Sequence, residues 1–173
     1  MAVAALRPRP APADPNLVDH FVTPHGVSFT EYETMLRWRG ESAVPRMTYL
    51  KGTLELMTPS IFDELGKKTF ARVIEAWSEE VGIELEGAGS WTLKARKEER
   101  GAEPDECYFV MRPGRKIATA KHPDFAIEVI WTRGGLDKLE VYRRLGVPEV
   151  WMLERGKLTF HVLKGAAWKT AKR

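Results

Sequence analysis

The chain is nearly free of cysteine: Cys107 is the single one among 173 residues. That excludes an intramolecular disulfide framework and any zinc site built from clustered thiolates, and it points to a reducing, cytoplasmic setting. No apolar run approaches the ~18–20 residues that a transmembrane helix requires. Four prolines and two arginines interrupt the first fifteen residues, where a secretory leader would need an unbroken apolar centre. A strong charge of one sign is missing too. The 27 Lys and Arg stand against 24 Asp and Glu, a net charge of +3. Part of that excess lies at the ends, in Arg7, Arg9, Lys169, Lys172 and Arg173. Net charge therefore permits a polyanionic partner without requiring one.

What is present suffices for an ordinary core. Hydrophobic residues make up 43% of the chain, with six Trp and seven Phe among them. The length suits one domain, and a chain of this size buries roughly 70% of the surface its unfolded state exposes. Residues 1–20 read as a flexible Pro/Ala-rich arm, 21–165 as the folded domain, and 166–173 as a basic tail.

Local patterns give the elements. Thr30, with Glu33 three residues on, is expected to cap a first helix carrying Tyr32, Met35, Leu36 and Trp38. Residues 47–57 alternate around Lys51-Gly52 and read as a β-hairpin. Ser60 opens a long amphipathic helix, with Asp63 in the capping-box position. Leu65, Thr69, Val73, Trp77 and Val81 fall on one stripe of that helix, and Gly82 terminates it. The segment from Gly87 to Val110 reads as a second hairpin, with arms starting at Trp91 and Glu106 around a charged turn at 97–101. The run at 125–131 is apolar on both faces apart from Glu128, which marks a central strand covered on both sides. Gly134-Gly135 breaks it. A short helix follows, with Leu136, Leu139, Tyr142 and Leu145 three residues apart and Gly146 at its C-terminus. Residues 150–163 form a last hairpin around Arg155-Gly156. This order predicts an α+β fold with helices packed on a mixed central sheet.

Three acids and a lysine carry chemical interest. Asp105 follows Pro104 at the start of a strand, where an active site can be built. Glu128 lies in the most apolar strand, where a carboxylate is costly unless it is paired, protonated or bound to metal. Glu64 occupies the first turn of the long helix, and Lys138 the first turn of the helix that follows Glu128. Such a set matches metal-assisted phosphodiester hydrolysis: carboxylates hold Mg²⁺ through oxygen, and a lysine positions water or steadies phosphoryl charge. Plainer roles stay open at this stage. Asp63 serves as a cap, Glu64 as a complement to the helix dipole, Glu128 as the buried partner of an arginine such as Arg144, and Lys138 as a solvated lysine paired with Asp137 or Glu140. Asp124 reads as a turn residue at a strand entry and Cys107 as a small buried hydrophobe. His20, His25, His122 and His161 have no metal-ligand spacing. Arg96, Lys97, Arg100, Arg112, Arg115 and Lys116 are either solvated or available to phosphates.

These residues also carry a resemblance. The runs at 103–110 (EPDECYFV), 122–130 (HPDFAIEVI), 136–142 (LDKLEVY) and 146–151 (GVPEVW) resemble the Uma-two family, with further likeness at 54–60 (LELMTPS) and 89–92 (GSWT). The similarity runs from about Val27 to Leu163. Those proteins are described as restriction-endonuclease-like and fall within the PD-(D/E)XK nuclease superfamily. The resemblance implies a restriction-endonuclease-like core and a Mg²⁺- or Mn²⁺-dependent DNA endonuclease. Asp105 would be the aspartate of the PD half-motif and Glu128 the acid of the (D/E)XK half, both holding metal together with Glu64. Strict spacing would put a lysine where Ile130 stands; in this family the lysine comes from the next helix, at the place of Lys138. Asp63 occupies the position that a histidine holds in relatives. The departures at 63 and 130 keep a second expectation open, a degenerate nuclease fold that binds DNA or protein. Nucleases of this fold often pair, so a homodimer is a third expectation, with the apolar C-terminal hairpin as its interface.

Overall fold

A computed structural model describes residues 17–132 and 134–171 of the chain. The strands are β1 (His20–Val22), β2 (Arg46–Leu50), β3 (Thr53–Thr58), β4 (Leu85–Gly87), β5 (Leu93–Ala95), β6 (Arg100–Ala102), β7 (Glu106–Val110), β8 (Phe125–Ile130), β9 (Glu149–Glu154), β10 (Lys157–Lys164) and β11 (Ala167–Ala171). The helices are α1 (Phe29–Arg39), α2 (Ile61–Glu80) and α3 (Lys138–Leu145). They form an α+β fold with two sheets. One is antiparallel, in the order β1-β3-β2-β6-β5; the other is mixed, in the order β11-β10-β9-β8-β7-β4.

Strand β8 lies inside the mixed sheet, antiparallel to β7 and parallel to β9. A parallel pair needs a crossover, and α3 supplies it. Alternation along β8 then divides its neighbours. Phe125 and Ile127 pack with Tyr108 and Ile74 beneath α2, whereas Ala126 joins Cys107, Val150 and the α3 residues Val141 and Tyr142. Leu93 and Ala102 of the antiparallel sheet belong to that same cluster, so α3 is wedged between the two sheets. Helix α1 covers the antiparallel sheet, where Phe29, Tyr32, Met47, Tyr49 and Leu54 form a separate core. Gly66 allows α2 to approach β8 closely, since a Cβ there would meet Val129 Cγ1 at 3.0 Å.

The hairpins at 47–57 and 150–163, the central strand and α3 fold as the sequence predicts. Three expectations are corrected: the cap of α1, the hairpin over 91–110 and the tail at 166–173. The cap of α1 is Ser28, not Thr30: Ser28 Oγ accepts from Glu31 N, and Glu31 accepts from Ser28 N in return. Glu33 turns instead to Lys94 and Arg96. Residues 91–110 are not one hairpin. β5 pairs with β6 in one sheet and β7 with β8 in the other, because Glu103 anchors the crossing between them. It accepts from Arg39, from Thr92 Oγ1 at 2.6 Å and from Met47 N at 2.9 Å.

The apolar stripe of α2 does not face the sheet. Leu65, Val73 and Trp77 are 56%, 58% and 49% exposed, while Asp63, Ile74 and Ser78 are buried. The C-terminal segment is not wholly a tail. Residues 167–171 pair with β10 and cover its edge, held by Trp168, which packs on the α3 cluster. Of the arm expected over 1–20, only the last four residues are described. Asp19 is buried and His20 pairs with Thr58; residues 1–16 lie outside the described part. Among the described residues, no helix is long and apolar enough to cross a membrane.

Candidate active site

Pro104 offers no N–H, so the chain leaves the antiparallel sheet there and Asp105 begins the approach to β7. Asp105 N donates to Ile127 O at 3.1 Å, and Asp105 Oδ2 accepts from Val129 N at 2.6 Å. The two bonds bracket Glu128 on the neighbouring strand, so the two acids picked out in the sequence sit side by side. Both are out of solvent, at 1% and 0% exposure. Glu128 is fully engaged. Its Oε2 lies 2.6 Å from Lys138 Nζ, and its Oε1 accepts from the Tyr142 hydroxyl. Burial, reinforced by the Glu128 charge, drives the Tyr142 phenol well above its ordinary pKa, which keeps it a donor. Arg144 takes no part here, since it pairs with Glu98 and Glu140.

The N-terminal turn of α2 closes the site from the other side. Ser60 Oγ caps Asp63 N at 3.2 Å, and the turn presents Asp63 and Glu64. Between them and Asp105 lies the guanidinium of Arg46, from the start of β2, which is only 5% exposed. Its Nη2 is 2.6 Å from Glu64 Oε1 and its Nη1 3.4 Å from Asp63 Oδ2, and Nη1 also pairs with Asp105 Oδ1. Asp63 Oδ1 is buried without a hydrogen-bond partner. Burial pushes the Asp63 carboxyl up to about 7; the Arg46 charge opposes that shift, and the Asp19 charge adds to it.

Backbone supports fix this corner. Asp19 accepts from Ser60 N and from Thr132 N, each at 2.8 Å, tying the start of α2 to the end of β8. Glu55 of β3 accepts from Gly135 N at 2.6 Å and Leu136 N at 3.2 Å. A Cβ on Gly134 would fall 2.6 Å from Glu55 Oε2, so only glycine allows that carboxylate so close to the loop. Asp137 then caps α3, accepting from Glu140 N at 3.1 Å, and sets Lys138 at its first position. A cleft of about 610 Å³ opens beside Lys138, walled by Glu55, Met57, Gly135, Met152 and His161 among others.

Sequence reasoning singled out Asp105, Glu128, Lys138 and Glu64, and the fold brings all four to one corner. It missed Arg46, Tyr142, Glu55 and Asp19. A signal existed for Glu55, a lone acid inside the apolar run at 54–57, as Glu128 is in its own strand. Arg46 borders a hairpin and Tyr142 fits a core stripe, so neither stood out. Three of the six basic residues weighed as phosphate contacts are otherwise employed: Arg96 pairs with Glu33, Arg115 with Asp124, and buried Arg100 donates to Glu98 O. Cys107 is buried, and burial pushes its thiol up to about 12, which leaves it inert.

Comparison with known proteins places this corner in context. The model of the Uma2 family, described as "Putative restriction endonuclease", matches residues 29–172. The chain belongs to that family. Among solved structures it is similar to a DUF820 protein from Anabaena variabilis ATCC 29413, titled a "putative nuclease". The two are 16% identical, with a TM-score of 0.55 over 84% of this chain and 83% of that one. At that identity the likeness shows the fold alone, which is restriction-endonuclease-like. No curated protein matches.

The donor set fits a hard divalent cation in kind, because carboxylate oxygens are what Mg²⁺ and Mn²⁺ take. Asp63, Glu64 and Asp105 already surround one cationic group, and Asp63 Oδ1 still lacks a partner. As they stand, however, no three acidic, histidine or cysteine side chains among the described residues form a group able to hold a metal. The Arg46 guanidinium holds that place.

Proposed function

We propose that this Uma2-family chain is a divalent-metal-dependent nuclease that hydrolyses phosphodiester bonds, with DNA as its substrate. The observation that carries the reading is the adjacency of Asp105 and Glu128 on neighbouring strands, with Lys138 Nζ 2.6 Å from Glu128. Asp105, Glu128 and Glu64 would hold Mg²⁺ or Mn²⁺, which supplies a nucleophile at neutral pH and offsets charge on the phosphoryl oxygens. Tyr142 orients Glu128 through Oε1, and Lys138 donates to the attacking water or to a phosphoryl oxygen. A cation held there would take the place that the Arg46 guanidinium occupies among Asp63, Glu64 and Asp105, and the bonds from Val129 N to Asp105 and from Thr132 N to Asp19 brace the framework.

A second reading has its own support. Glu128 is neutralised by Lys138, and Arg46 fills the space among the other acids, as in a nuclease fold retained for binding DNA or protein. Incubation of the chain with supercoiled plasmid in Mg²⁺, in Mn²⁺ and in EDTA separates the two. Nicking that requires metal supports the nuclease. Plasmid retarded on a gel but left intact in all three conditions favours the binding module.

A further inference from the structure

The cleft beside Lys138 has no part in the chemistry described so far. Its volume of about 610 Å³ falls in the range of roughly 300–1,000 Å³ that takes a single small molecule, and close packing would have filled it had it belonged to the core. It opens between the two sheets, where β8 and β9 end at Ile130 and Glu154. Cross-strand neighbours make its wall continuous with the corner that holds the acids. Met152 is the register partner of Glu128, and Met57, on β3, that of Arg46. Lys138, bonded to Glu128, forms a further part of the wall.

We infer that this cleft receives one unpaired nucleobase, so that the chain acts on single-stranded DNA in preference to intact double helix. The inference rests on the nuclease reading: a phosphate at Lys138 leaves its own nucleoside within reach of the cleft. The chemistry of the wall selects the base over the backbone. Glu55, Asp137 and Glu154 stand there against Lys138, the one full cation among the described lining residues. Such a wall repels further phosphates and accepts a neutral ring that carries N–H donors. His161 is the other basic group, and burial lowers its pKa, so its imidazole is neutral at pH 7. Thr170 Oγ1 at 3.3 Å from its Nδ1, and Trp168 edge-on to the ring, hold it in place. Phe21, Met57 and Met152 supply aromatic and thioether surface, and both kinds of group pack well against flat π-systems. A base stacked and paired in a duplex cannot enter. Extruding it costs unstacking and unpairing energy, whereas a single strand presents it free. A negatively supercoiled plasmid offers such bases where it opens locally.

Fluorescence anisotropy on the full chain in EDTA, where nothing is cut, tests this with a labelled strand of about 12 nucleotides, alone and annealed to its complement. The single strand is expected to bind at least tenfold more tightly than the duplex. Thr159→Trp fills the cleft from β10 and replaces none of the residues assigned to the chemistry. It should abolish the preference and leave the thermal unfolding midpoint close to that of wild type. A duplex bound as tightly as the single strand overturns the proposal, as does no measurable binding to either, or a preference that folded Thr159→Trp retains. Should that variant fail to fold, the wild-type comparison still decides. Cleavage of the same strands in Mn²⁺ keeps the two readings apart. A chain that binds the single strand as expected but cuts neither form supports the cleft and refutes the nuclease. One that cuts both forms equally, with Thr159→Trp as active as wild type, supports the nuclease and overturns the cleft.

Discussion

Lys138 Nζ lies 2.6 Å from Glu128 Oε2, joining the first residue of α3 to the buried acid of β8. Glu128 sits wholly out of water, and such a carboxylate must be compensated. In the proposed reaction the same lysine assists at a phosphate. Its two duties separate by substitution. Lys138→Ala should lower the rate of phosphodiester cleavage about 10²–10³-fold and also destabilise the fold, because Glu128 loses its counter-charge. Lys138→Arg should keep most of the stability and little of the activity, since a planar fork does not replace a compact ammonium. Urea denaturation beside cleavage kinetics reads both. Full activity in Lys138→Ala would remove the lysine from the chemistry.

Arg46 holds Asp63, Glu64 and Asp105 together in a place suited to a cation. Removing it leaves uncompensated carboxylates at a cost of about 3–5 kcal/mol, yet it spares an incoming metal the displacement. Arg46→Ala should therefore be less stable than wild type without metal, bind Mn²⁺ about tenfold more tightly, and regain much of the lost stability in saturating Mg²⁺. Calorimetric titration and thermal unfolding check this. Weaker Mn²⁺ binding in the variant would mean that Arg46 supports the metal site and does not compete with it.

Asp63 gives the site a pH signature. Its carboxyl rises from an ordinary 3.8 to about 7 in the fold, so the folded chain holds a proton there that the unfolded chain releases. That contribution to stability is present in full below about pH 4 and is lost as pH rises through 7. Asp63→Asn removes the slope. The variant should gain on wild type, between pH 5 and pH 8, by on the order of 2 kcal/mol. Urea midpoints at the two values measure it, and an equal difference at both pH values would contradict it.

The legible parts of this protein were those written in local pattern. The Lys51-Gly52 turn, the apolar run of β8 and the Ser60 cap each specify their own conformation within a few residues. The acids were legible for a related reason: a charge in an apolar strand or after a proline is locally anomalous. What escaped depends on distant partners. Residues 91–110 have hairpin character, but Glu103 meets Arg39 and Met47 from far along the chain and sends the two arms to different sheets. The periodicity of α2 identified an apolar stripe without saying what it faces, and tertiary packing chose the other side. Arg46 has no unusual sequence context at all; its role comes from three acids gathered around it by α2 and the approach to β7.

Cleavage of supercoiled plasmid by the wild type and by Glu128→Gln, purified identically and assayed in Mg²⁺ and Mn²⁺, bears most directly on the assignment. The glutamine keeps the shape of the side chain and can still meet Tyr142, but it gives up the charge that would hold metal. Metal-dependent nicking by the wild type that falls at least a hundredfold in Glu128→Gln is the expected result. Equal nicking by both preparations would contradict the placement of the active site at Asp105 and Glu128.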